Sequence, residues 1–256
     1  MAKKTFFLRG CKLIDENKKS YEEKAQETKQ HSARLAEMQR YVDMSEEKRN
    51  LLLDILKNGK CPDDPNESLL HRGVLVYVSF LDVIDQLDKD LTKAGIKHHI
   101  ITGKTKAEKR GEVSKNFKKN PENSVVIISP ACSESLNLNG TNILIMYSVG
   151  GSGVSSPGKY SQLLGRICRG FNPRFDIDGK NSKFFVIQCI VEETCDEYAG
   201  ILLSSRKELE EEILHSDTIP LKEVKSYNNE ILKKIRKDML WKEKEKRKYN
   251  TPNKNE

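Results

Sequence analysis

Gln162-Leu-Leu-Gly-Arg-Ile-Cys-Arg169 carries the residue types best suited to handling a concentrated negative charge. On a helix, spacings of four and three place Gln162, Arg166 and Arg169 on one side. Gly165 lets such a helix approach a neighbouring surface closely, while Leu163, Leu164 and Ile167 hold the opposite face to a sheet. Two arginines presented this way can reach a transferring γ-phosphate, where planar, permanently charged guanidinium groups neutralise developing charge. The plainer alternative is a surface helix with two structural arginines. A second stretch, Ser129-Pro-Ala-Cys-Ser-Glu-Ser-Leu-Asn-Leu138, reads as a strand end running into a small polar loop. In open α/β sheets ligands bind outside the carboxyl ends of strands, although an ordinary connection accounts for this loop taken alone.

Thr102-Gly-Lys-Thr105 invites a phosphate-cradle reading of its own. A P-loop needs an earlier glycine, five residues before the Gly-Lys pair, so that backbone amides curl around the phosphates. That position is His98, inside the predicted strand Lys97-His-His-Ile-Ile101, and an extended strand cannot wrap a phosphate. Nor does an acidic pair follow a strand, as a magnesium site requires: the strand ends are Ile128-Ser129 and Met146-Tyr147-Ser148.

These residues need a scaffold, and the hydrophobic pattern supplies one. Val74 to Val78 is a continuous apolar, β-branched run, as expected for a strand buried on both faces. Ile96 to Thr102, Ser124 to Ser129, Asn142 to Tyr147 and Phe184 to Val191 read as further strands. Helices are predicted from Ser45 past Leu56, from Leu81 to Leu91 with Ala94-Gly95 as the stop, from Ala107 to Phe117, from Lys159 to Cys168 and from Cys195 to His215. Ser45-Glu-Glu-Lys48 makes a weak capping box because its fourth residue is Lys. Cys61-Pro-Asp-Asp-Pro65 reads as a helix breaker, and the core is expected to begin at Gly73. Strands alternating with helices predict an α/β fold, a parallel sheet with helices on both faces. Helical extensions flank it: Asp15 to Arg40 as an exposed helix or arm, and a Lys-rich segment after Pro220 with a sparse apolar stripe. The expected organisation is a charged helical segment at 1–44, the α/β lobe at 45–215 and a basic tail at 216–256.

Composition narrows the classes. A chain of 256 residues buries a real core without disulfides. The formal net charge of +7 suits a polyanionic partner. The six cysteines form no CxxC pair, so no metal site is expected, and their scatter reads as buried thiols in a reducing compartment. Neither a signal peptide nor a run of membrane-spanning length is visible. The expectation is an intracellular, soluble protein of the cytoplasm or nucleus with no membrane partner.

Taken together and in this order, the motifs resemble the C-terminal RecA-like lobe of superfamily-two helicases, nearest to the Swi/Snf-type DNA translocases and their viral relatives. Val74 to Phe80 resembles motif IV. Ile101 to Thr105, with Arg110 downstream, resembles the segment that meets the nucleic-acid backbone. Ala131 to Leu138 resembles motif V, and Gln162 to Arg169 motif VI. The resemblance implies that Arg166 and Arg169 are catalytic arginine fingers, that Gln162, Glu134 and Asn137 serve ATP, and that Ser79, Thr102, Gly103, Lys104 and Ser129 lie along a nucleic-acid track. Ser135 stands where motif V usually has Gly, and Gly150 to Gly158 is a loose insertion before motif VI.

Three readings follow. In the first, the chain is the second motor lobe of an ATP-dependent DNA helicase or translocase. A separate first-lobe ATPase chain then holds ATP and Mg2+, and DNA, with RNA as the alternative, is the track. In the second, it is a non-catalytic nucleic-acid-binding or regulatory relic lobe whose Lys222–Lys248 tail supplies electrostatic affinity. The third and weakest is a self-sufficient NTPase using Gly103-Lys-Thr105. A viral or phage origin would suit a split, compact motor.

Overall fold

The computed structural model describes residues 3–27, 31–133, 138, 140–149, 183–197 and 199. At its centre is a six-stranded sheet built from β1 (Lys3–Cys11), β4 (Val74–Tyr77), β5 (His98–Ile101), β6 (Val125–Ile128), β7 (Ile143–Met146) and β8 (Lys183–Val191). The spatial order is β1-β8-β7-β4-β6-β5, and every neighbouring pair runs parallel. All carboxyl ends therefore lie on one edge of the layer.

The predicted strands form because β-branched and large apolar side chains can be buried on both sides at once. Along β4, Val74 and Val76 enter one core and Leu75 and Tyr77 the other, as the two-residue period of a strand demands. The first core is closed by α3 (Glu46–Asn58) through Leu52, Ile55 and Leu56, and by α5 (Leu81–Lys93) through Val83, Ile84, Leu87 and Leu91. The second is closed by α6 (Ala107–Lys119) through Val113 and Phe117. Helices thus cover both faces. Gly73 enters β4 at φ 77°, where a Cβ would lie 2.4 Å from the carbonyl oxygen of Pro121, so only glycine fits that turn.

Three features differ from expectation. The N-terminal extension is helical over α1 (Asp15–Glu27) and α2 (His31–Met44) but opens with a strand, β1, paired along nine residues with β8. The stretch from Asp15 to Arg40 is not a wholly exposed arm either: Tyr21, Met38 and Val42 pack with Val191 and Cys195 in a small third core. The main core also begins before Gly73, since α3 is buried along one side. Third, the presumed breaker at Cys61 to Pro65 is part of a hairpin, β2 (Lys60–Cys61) with β3 (Asp64–Ser68), leading into the single turn α4 (Leu69–Arg72). Arg72 anchors that hairpin by pairing with Asp63 and Glu67 at 2.7 and 2.6 Å.

Among the described residues no helix is long and apolar enough to cross a membrane. They all belong to one compact unit, Met1–Leu203.

Candidate nucleic-acid interface

The parallel sheet brings Ser79, Ser129 and Thr102-Gly-Lys104 to the same edge, because each follows the last residue of a strand. The strands concerned, β4, β6 and β5, are consecutive in the sheet. Their exits are tied together by main-chain bonds: Val78 N–H donates to Ile128 at 3.0 Å and Ser129 N–H donates to Ile101 at 3.1 Å. The Ser129 hydroxyl is buried and has no hydrogen-bond partner among the described residues, so it retains capacity there beside that edge. A further short helix, α7 (Pro130–Ser133), follows it, with Cys132 N–H donating back to the Ser129 carbonyl.

The loop after β5 is a closed turn. Thr102 N–H donates to Thr105 Oγ1 at 3.0 Å, and the guanidinium of Arg110 reaches back from α6 to the carbonyl oxygens of Thr105 and Gly103 at 2.6 and 2.9 Å. Carbonyls held inward by Arg110 leave Lys104 exposed at the tip. Gly103 passes so close to α7 that a Cβ would lie 3.2 Å from that of Ala131. The residue where a phosphate cradle needs a turn, His98, is in extended strand paired with Val125. This is a braced backbone turn carrying a cation, suited to a phosphate contacted from outside and unlike a nucleotide cradle. Among the described residues no group of three or more His, Cys, Asp or Glu side chains is placed to hold a metal.

Gln162, Arg166, Arg169, Glu134 and Asn137 lie outside the described residues.

One cluster at this edge was not anticipated. Ser79 N–H donates to Ser148 Oγ at 2.9 Å, across the gap between β4 and β7. Ser148 Oγ donates at 2.6 Å to Asp43 Oδ2 at the end of α2. Asp43 Oδ1 pairs with Lys48 Nζ at 2.7 Å, and Lys48 pairs with Asp196 Oδ2 at 2.6 Å. All three charged side chains are fully buried. Gln39 Nε2 bridges the two carboxylates at 2.9 and 2.8 Å, Val191 N–H donates to Asp196, and the Tyr147 hydroxyl donates to the Asp43 carbonyl. The ammonium also sits 5.0 Å from the Tyr147 ring centroid. Burial, offset in part by Lys48 and reinforced by Asp196, holds the Asp43 carboxyl above the ordinary range. Burial pulls the Lys48 ammonium down, but the two aspartates outweigh it and raise its pKa. Nearby thiols are pushed up by burial, Cys189 and Cys195 to about 12 and Cys11 to about 11, and are protonated at neutral pH.

A sequence signal for Lys48 did exist. Ser45 caps α3 as the cap residue type suggests, accepting from Lys48 N–H. Lys48 then falls on the stripe of Leu52, Ile55 and Leu56, where an apolar residue belongs.

The fold is a RecA-like α/β layer. Residues 47–170 match the family model of the helicase conserved C-terminal domain. Among solved structures, the chain is similar to the C-terminal part of the Fun30 ATPase domain: 14% identity, 86% of this chain and 91% of that one covered, TM-score 0.57. It also aligns with S. cerevisiae Dbp5 bound to RNA and ADP BeF3, at 14% identity over 63% of this chain and 36% of that one, TM-score 0.45. No curated protein sequence matches the chain. None of these matches bears on a viral kinship.

Proposed function

We propose that this chain is the second motor lobe of an ATP-dependent DNA helicase or translocase, with the P-loop-bearing first lobe supplied from outside these 256 residues. The observation that carries this reading is the array at the sheet's carboxyl edge. Ser79, Ser129, Thr102, Gly103 and Lys104 follow three adjacent parallel strands, within the span that matches the helicase C-terminal domain model. Hydroxyls, backbone amides and one lysine suit phosphate contact without base readout, which is what movement along any sequence requires. ATP and Mg2+ are held mainly by the first lobe. By the family resemblance, Arg166 and Arg169 would neutralise charge on the transferred phosphate, and Gln162, Glu134 and Asn137 would serve the nucleotide. The net charge of +7 suits a polyanionic track through long-range attraction.

The test is ATP hydrolysis by the chain joined to a first lobe, with and without duplex DNA. Arg169→Ala lowers DNA-stimulated turnover by about 10³-fold or more, the contribution of an arginine finger, while leaving DNA affinity in place. An unchanged rate sinks the reading.

A further inference from the structure

The sheet's carboxyl edge has two kinds of support. Beside β5 the loop is braced by Arg110 at the surface. Between β4 and β7, among the described residues, the main chain at Ser79 is instead held by a hydroxyl, Ser148 Oγ, whose own proton goes to a buried aspartate. That aspartate belongs to α2, in the N-terminal extension.

We infer that the buried Lys48–Asp43–Asp196 network is a positioning device for the nucleic-acid track, acting through Ser148 on the amide of Ser79. The inference rests on the track assignment under Proposed function, and it draws residues 3–44 into the motor lobe as a working part of it.

The connectivity supports this over a purely structural latch. A hydroxyl between an amide and a carboxylate has its direction imposed. Asp43 Oδ2 only accepts, so Ser148 must donate to it, and its lone pair then faces Ser79 N–H. Asp43 cannot swing away to release the relay, because its other oxygen is held by Lys48 and Gln39 and its carbonyl by Tyr147. Lys48 is fixed in turn by Asp196, which is anchored to the end of β8 through Val191 N–H. The chain of contacts thus runs from α2 and the start of α3 to the loop at the β4 end of the track, through polar atoms whose partners are all fixed. A salt bridge needed only for stability would not end on the backbone amide of a track residue. Burying three charges is also an inefficient route to stability, since well-packed apolar side chains often do as well.

Lys48, Asp43 and Ser148 are positioning residues: none lies among the groups assigned to phosphate. The variant that isolates the relay is Ser148→Ala, which removes one hydroxyl and leaves the Lys48–Asp43–Asp196 pairs in place. Val113→Ala, in the core under α6, is the control for a general loss of packing. Two measurements on the full chain decide the matter. One is hydrogen exchange at the Ser79 amide. The other is the affinity for a duplex DNA oligonucleotide as a function of salt, with Lys104→Ala as the reference for a lost phosphate contact.

In Ser148→Ala the Ser79 amide is expected to exchange about tenfold faster, and DNA affinity to fall by about three- to tenfold, the scale of one net hydrogen bond. Its salt slope stays that of the wild type, because no cation is lost. Lys104→Ala weakens binding and lowers the slope by about one, and Val113→Ala changes neither exchange at Ser79 nor affinity. Unaltered Ser79 exchange in Ser148→Ala overturns the relay. Faster exchange with unaltered affinity, while Lys104→Ala still weakens binding, overturns the positioning role and leaves the track standing. Salt-insensitive or absent binding by the wild-type chain overturns the track assignment itself and the positioning role with it, whatever the exchange data show.

Discussion

The two ends of the presumed track are built on opposite principles. At β5, one half-buried arginine holds two main-chain carbonyls and the loop tip stands in water. At β4 and β7, the chain is held by three fully buried charges with hydroxyl and amide partners. The difference is one of stiffness. An exposed brace exchanges readily with water and leaves a lysine free to follow a moving phosphate. A dry, fully satisfied network has few alternative arrangements. A lobe that moves along a backbone, as proposed above, needs both, one end that stays firm and one that adjusts.

The largest test of this contrast is Lys48→Met. It leaves two buried carboxylates without their cation, which costs about 3–5 kcal/mol, and chemical denaturation should show that loss with the N-terminal helices released. A cost near zero would mean that the network is wet and the β4 end no firmer than the β5 end. Next comes Arg110→Ala, with an expected stability loss of about 1 kcal/mol and faster exchange confined to the turn at 102–105. A global loss as large as that of Lys48→Met would erase the distinction between brace and network.

The smallest effect concerns Glu47 of α3, which holds the N-terminal extension from outside the buried network. Glu47 accepts from Ile14 N–H and from the Asn17 amide. Partial burial pulls its pKa up, but those hydrogen bonds outweigh it and hold the carboxyl below the ordinary range. Its contribution is therefore present above the unfolded-chain value near 4.5 and is lost as pH falls through the depressed folded value. Glu47→Gln should flatten the acid limb of the stability profile. A limb as steep as that of the wild type would show that Glu47 does not hold the extension.

Much of this was legible in the sequence, and the physical reasons divide it cleanly. β4, β6 and β7 were visible because a strand buried on both faces reads as apolar at nearly every position, and few sequences read that way by accident; β5, with His98 and His99 only partly buried, and β8, with Gln188, read less cleanly. Ser79, Ser129 and Thr102 became site candidates through the family resemblance, and the parallel sheet then delivers all three to one edge. The strand β1 was not legible. Lys3 to Cys11 has only Phe6, Phe7 and Leu8 as a short apolar run, and its stability comes from nine residues of pairing with β8, far away in the chain. The hairpin at 60–68 was hidden because its two prolines read as an end to structure. The place of Lys48 on the Leu52, Ile55 and Leu56 stripe was legible, but its partners, 5 and 148 residues away, were not.

The sequence by itself thus determined what depends on local periodicity and on chain order: the α/β alternation, the helix that opens at Ser45, and the series of loops at one edge of a parallel sheet. Only the tertiary structure decided which charges are buried. Burial of a charge is set by distant partners that satisfy it, and no local pattern records whether Asp43 and Asp196 will close around Lys48.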